Sequence, residues 1–173
     1  MGFNYKAVFR SADRLSGSAY GEPVYSNLNF PNLTMFQDYQ FAKVFVSDAL
    51  VNADISGTDQ SHVCIQLVNK SPMNVVRASG TGSNGGASFL AMVPFILKEA
   101  GQTGLYYMTH SDERSYFVLP WNELQDTNIS FRLTDGSDQL IEEPNQTDFI
   151  GYSFCLTIEP IKSLKGCGCD KGA

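Results

Sequence analysis

Apolar and polar residues alternate with a period of two near the end of the chain. Across residues 152–159, Tyr152, Phe154, Leu156 and Ile158 fall on one side, while Ser153, Cys155, Thr157 and Glu159 fall on the other. A strand points successive side chains to opposite faces, so this stretch predicts a strand with one buried face. The same parity puts Ile129, Phe131 and Leu133 inward and Ser130 and Arg132 outward. Asp135-Gly136-Ser137-Asp138 then supplies turn chemistry before Leu140 and Ile141. Residues 39–53 are apolar on both alternating sets, with Phe41 and Phe45 on one and Ala42, Val44 and Val46 on the other. That is the pattern of a long central strand, or of one covered by a neighbour.

Residues 23–30, 62–68, 73–77, 87–96, 105–110 and 116–119 are further strand candidates. They are separated by Ser71-Pro72, a Gly-rich loop at 80–86, Pro120-Trp121 and Pro144-Asn145, and only 120–124 and 31–38 suggest a helical turn. The chain therefore predicts an all-β fold, a single jelly-roll sandwich of about eight antiparallel strands, which protects most sheet edges. An immunoglobulin-like sandwich is the second choice; Trp121 follows Pro120 at a strand end and is not flanked by a suitably spaced Cys pair. The predicted organisation is an N-terminal arm at 1–22, the jelly-roll domain at 23–161 and a short, Gly-rich, charged tail at 162–173.

At 173 residues, with 43% hydrophobic and 12% aromatic content, the chain is long enough for one well-filled core. Twelve basic against eighteen acidic residues give a net charge of −6, without a basic run to track phosphates, so direct nucleic-acid binding is not expected. The N-terminus lacks a long apolar stretch, and Lys6 stands where a myristoylation motif wants Ser or Thr, so synthesis in the cytosol is expected. The longest apolar run, 89–97, is interrupted by Pro94 and is shorter than the roughly 20 residues of a spanning helix, so no transmembrane segment is expected. Sequons at Asn32, Asn128 and Asn145 are read as unmodified chance matches.

Candidate chemistry is sparse. His62 and His110 lie 48 positions apart, too few and too distant to build a three-ligand metal centre alone. There is no Gly-x-Ser-x-Gly elbow, and the 80–86 loop has no phosphate-binding Lys. Asp135, Asp138, Glu142 and Glu143 do not have EF-hand spacing. Cys64 and Cys155 sit in mid-strand; Cys167 and Cys169, two apart, are read as reduced thiols in preference to an interchain bridge or a shared metal. The expectation is a non-enzymatic protein without catalytic residues, metal or cofactor. A carbohydrate-binding β-sandwich, with Tyr106, Tyr107 and Trp121 stacking on sugars, is the alternative, and a glycosidase-like enzyme the third reading.

Residues 9–17, Phe-Arg-Ser-Ala-Asp-Arg-Leu-Ser-Gly, contain a Ser-x-Asp-Arg-x-Ser-Gly sequence. It resembles the signature opening the single jelly-roll penton (vertex) and minor capsid proteins of large icosahedral double-stranded DNA viruses and virophages. The likeness continues as a pattern through 129–141 and 152–160; Tyr20-Gly21-Glu22-Pro23 departs from the short Ser/Asn/Thr passage expected after Gly17. The resemblance implies a virion component made in the host cytoplasm, most simply a homopentamer at five-fold vertices, or else a minor capsid protein cementing major capsomers. Its partners would be copies of itself and other major and minor capsid proteins. Ser11, Asp13, Arg14, Ser16 and Gly17 would then form an interaction site in the N-terminal arm, and Cys167 and Cys169 one in the tail.

Overall fold

The computed structural model describes residues 4–28, 39–53, 62–68, 70, 88–94, 104–109, 116–125, 128–136, 138–144 and 151–162. Among these, nine strands form an all-β sandwich: β1 Tyr5–Arg10, β2 Val24–Tyr25, β3 Phe41–Ala53, β4 His62–Leu67, β5 Ser88–Pro94, β6 Gly104–Thr109, β7 Phe117–Pro120, β8 Ile129–Asp135 and β9 Ser153–Ile161. One sheet runs β1-β9-β3-β6, with β7 also on β3; the other runs β2-β8-β4-β5. Every pairing is antiparallel. β6 faces Asp48 to Ala53 and β7 faces Phe41 to Val44 along the same edge of β3, so the two act as one interrupted strand.

The alternating segments bury as their parity requires. Ile129, Phe131, Leu133, Tyr152, Phe154, Leu156 and Ile158 all lie in the core. The turn at 135–138 closes back through a Thr134–Leu140 bridge, with Asp138 in the left-handed region at φ 62°. Asp tolerates that conformation better than most residues.

The doubly apolar stretch at 39–53 has two causes. Ala42, Val44 and Val46 face the core, but a bulge lies between Val46 and Asp48, and beyond it Ala49, Val51 and Ala53 take over. One extra residue at Ser47 switches which parity points inward. Phe45, on the outer face, is also buried. The Lys43 ammonium sits 5.1 Å from the Phe45 ring and 4.9 Å from the Tyr116 ring, and 3.3 Å from the Glu159 carboxylate, so its stem and charge roof this outer apolar spot.

The helical turn expected at 120–124 is a 3-10 turn, Trp121–Leu124, with Trp121 and Leu124 buried. Strand β2 is shorter than the 23–30 stretch predicted, because after Tyr25 the chain leaves the sheet to dock on this turn: Leu28 N donates to Leu124 O at 3.2 Å. Residues 4–22, expected as an arm outside the domain, are built into the sandwich; Tyr5–Arg10 is an edge strand on β9, and Phe9 and Tyr20 belong to the core. The candidate strand at 73–77, the possible turn at 31–38, His110 and the tail with Cys167 and Cys169 lie outside the described residues.

The two sheets meet through aromatic rings. Phe9 and Phe154, paired across β1 and β9, stack at 5.4 Å; Phe131 from the opposite sheet stands edge-on to both, at 5.0 and 4.9 Å, and Tyr25 stands edge-on to Phe9 at 4.9 Å. Such pairs add about 1 kcal/mol each beyond their buried area. Phe154→Asp should therefore cost at least about 4 kcal/mol, from lost packing plus a buried charge without a counterion. Chemical denaturation monitored by circular dichroism should find the variant unfolded or nearly so; a cooperative transition at the wild-type midpoint would refute this core assignment.

Candidate functional site

The Ser-x-Asp-Arg-x-Ser-Gly sequence forms the corner between β1 and β2. The chain leaves β1 at Arg10 into a 3-10 turn, Ser11–Asp13, and the buried Ser11 donates its backbone N–H to Tyr152 O at 3.0 Å. Arg14 binds the corner together. Its guanidinium donates from Nη1 to Ser11 O at 2.7 Å and from Nε to Ser18 O at 3.4 Å, lies 3.3 Å from the Glu143 carboxylate, and covers the Tyr20 ring at 5.8 Å. A planar fork of donors suits one cation to several carbonyls in this way. Leu15 N donates to Val24 O at 2.7 Å, and Ser18 caps Leu15 O from both its backbone and its hydroxyl. Gly17 turns the chain at φ 87°, where a side chain is strained.

Of the five expected site residues, Ser11 and Arg14 hold this corner to its own domain and Gly17 turns it, while Asp13 and Ser16 are exposed. The departure at 20–23 has a physical role. Gly21 O accepts Leu133 N at 2.7 Å and Pro23 O accepts Phe131 N at 3.0 Å, which extends the β2 pairing along β8. Gly21 passes so close to the next segment that a Cβ there would stand 2.7 Å from Ile141 O.

Behind the corner lie three tyrosines, of which the sequence pattern marked Tyr152 as buried but neither Tyr20 nor Tyr25 as its neighbour. The Tyr25 hydroxyl donates to Arg10 O at 3.0 Å and is hydrogen-bonded to the Tyr152 hydroxyl at 3.0 Å; Tyr20 donates to Asn52 O and packs edge-on to Tyr152 at 4.9 Å. Burial raises the pKa of all three above the ordinary tyrosine value. For Tyr20 the neighbouring Tyr152 and Glu143 add to it, for Tyr25 the hydrogen bond to Tyr152 does, and Arg14 offsets part of each rise. The alternating pattern around Tyr152 was a signal for its burial; nothing local marks the partner of a hydroxyl more than a hundred residues away.

The remaining candidates are scattered. His62 opens β4, and Cys64 in β4 and Cys155 in β9 are not joined in a disulfide. Asp138 pairs with Arg132 at 3.3 Å, and Asp135 Oδ1 accepts Gln139 N at 2.9 Å, so the acidic stretch closes a turn. Among the described residues no group of three or more His, Cys, Asp or Glu comes together as a metal site, and no helix is long and apolar enough to cross a membrane. Trp121, expected on an exposed sugar platform, is buried in the core, because the turn after Pro120 folds it inward. Tyr106 and Tyr107 are successive residues of β6, in register with the fully buried Val51 and the half-buried Leu50. Comparison with protein-family models gives no match, and comparison with curated proteins gives none.

Two predictions follow from this geometry. Folded stability should be complete while the three tyrosines are protonated in both states and should fall as pH rises past about 10, because the unfolded chain ionises first. A spectrophotometric titration should show at least three of the eight tyrosines ionising only as the protein unfolds; all eight ionising with the fold intact would contradict the buried network. Gly21→Ala should cost about 2 kcal/mol, since backbone rather than a movable side chain opposes the new methyl. A melting temperature equal to wild type would show that the close approach is not real.

Proposed function

We propose that this chain is a structural capsid component, a single jelly roll that associates with copies of itself, as a pentamer at five-fold vertices or else as a minor capsid protein cementing major capsomers. The observation that carries the reading is the nesting of its strand pairs. With β6 and β7 counted as one strand, the first of eight pairs the last, the second the seventh, the third the sixth and the fourth the fifth, dealt alternately to the two sheets. A long antiparallel ribbon rolled on itself produces that order, which supports the jelly roll within the broader class of sandwiches. The Ser-x-Asp-Arg-x-Ser-Gly corner, locked in place by Arg14, adds the resemblance to penton and minor capsid proteins.

On this reading no bond is made or broken; the function lies in presenting rigid faces to neighbours. A ring is closed by a heterologous contact, one patch of each subunit against a different patch of the next. The host cytoplasm would be the site of synthesis and the virion the destination, with other capsid proteins as partners and no direct nucleic-acid contact, in keeping with the net charge of −6. Purified chain should sediment as a concentration-dependent oligomer approaching the mass of five subunits. Strict monomer behaviour together with specific retention on an oligosaccharide column would favour the carbohydrate-binding alternative instead.

A further inference from the structure

The outward face of β1 is unlike the rest of the edge. Lys6, Val8 and Arg10 are all exposed, Val8 at 53%, while Tyr5, Ala7 and Phe9 turn toward the sandwich. Successive outward residues on a strand are about 6.6 Å apart, so two cations flank a bare valine over roughly 13 Å. Among the described residues neither cation has an ion-pair partner. In a chain with eighteen acidic and twelve basic residues this is a local reversal of charge.

A second patch has the opposite signs in the same order. Asp138, Leu140 and Glu142 follow one another at every second position beside β8, with Leu140 40% exposed and Glu142 exposed. The Thr134–Leu140 bridge and the Ile141 N–H bond to Leu133 O at 3.1 Å hold this segment rigidly against the four-stranded sheet. Asp138 is shared with Arg132, and Glu142 has no ion pair among the described residues.

We propose that the β1 face of one copy docks on the 138–142 segment of a second copy, with Val8 against Leu140 and the cations of β1 toward Asp138 and Glu142. Self-pairing of β1 is the rival occupant, and its charges oppose it: an antiparallel β1–β1 contact centred on Val8 would place Lys6 of each copy against Arg10 of the other. The acidic segment opposes its own duplication for the same reason. Two patches, each repelling itself and attracting the other, and each on a different sheet, define a directional head-to-tail contact. This inference rests on the self-association put forward above and names the surfaces that make it.

The test is a charge exchange. The double variant Lys6→Glu, Arg10→Glu and the single variant Glu142→Lys should each weaken self-association at least tenfold in sedimentation equilibrium, and an equimolar mixture of the two should associate again. Raising the salt concentration should weaken wild-type association, because exposed ion pairs are screened. If the double variant loses the wild-type thermal transition, the neutral pair Lys6→Gln, Arg10→Gln replaces it, with the same loss expected. A wild-type oligomer unchanged by these substitutions and by salt would overturn this contact while leaving self-association standing. A wild-type chain that stays monomeric at every concentration would overturn both.

Discussion

Phe9 and Phe154 stack between the first and last strands, and Phe131 of the other sheet stands edge-on to both; this contact between the two ends of the chain is the constraint on which the other pairings depend. Strand β9 carries β1 on one side and β3 on the other, so placing Phe154 also places Leu156 against Val46 and Ile158 against Val44. β8 holds the equivalent place opposite, between β2 and β4, with Phe131 and Leu133 aimed at the same interior. The strand pairings therefore join residues far apart in sequence. Such a topology closes its loops before it gains from them, and it folds slowly relative to helical domains of the same size.

Next to the aromatic joint, polar groups are spent on fixing direction. Arg14 ties the first corner to Glu143 and the carbonyls of Ser11 and Ser18, while Tyr25 and Tyr152 share one buried hydroxyl pair against the Arg10 carbonyl. The exposed ion pair contributes little to stability by itself. What it shows is positional: the ion pair joins the first corner to Glu143, just beyond the 138–142 segment, and Gly21 passes close to Leu140 and Ile141 of that segment. The corner thus links the motif at 11–17 to a surface beside the opposite sheet.

Much of the scaffold was legible in the sequence because period-two alternation reports burial directly. Residues 129–133 and 152–158 follow from it, while the turn after Asp135 and the helical turn after Pro120 follow from their turn-forming composition. What escaped shares a cause: it depends on partners distant in sequence or on a local change of register. The bulge at Ser47, together with the buried Phe45 on the outer face, made β3 look apolar on both sides. The exposed Val8 blurred the alternation of Tyr5, Ala7 and Phe9, so an edge strand read as an arm. Trp121 read as an exposed aromatic because a buried turn and an exposed loop share the same Pro-led composition. Of the candidate site, the motif at 11–17 could be read in advance, whereas Glu143 as partner of Arg14 and Asn52 as partner of Tyr20 could not.

The account treats this chain as a building block whose chemistry is the fit between its own faces. A single-particle reconstruction of the assembly formed by the full chain, at a resolution that follows individual strands, tests that most directly. The account predicts a ring in which the β1 face of every copy rests on the 138–142 segment of the next. Isolated monomers, or a two-fold pair presenting the same patch from both copies, would contradict it.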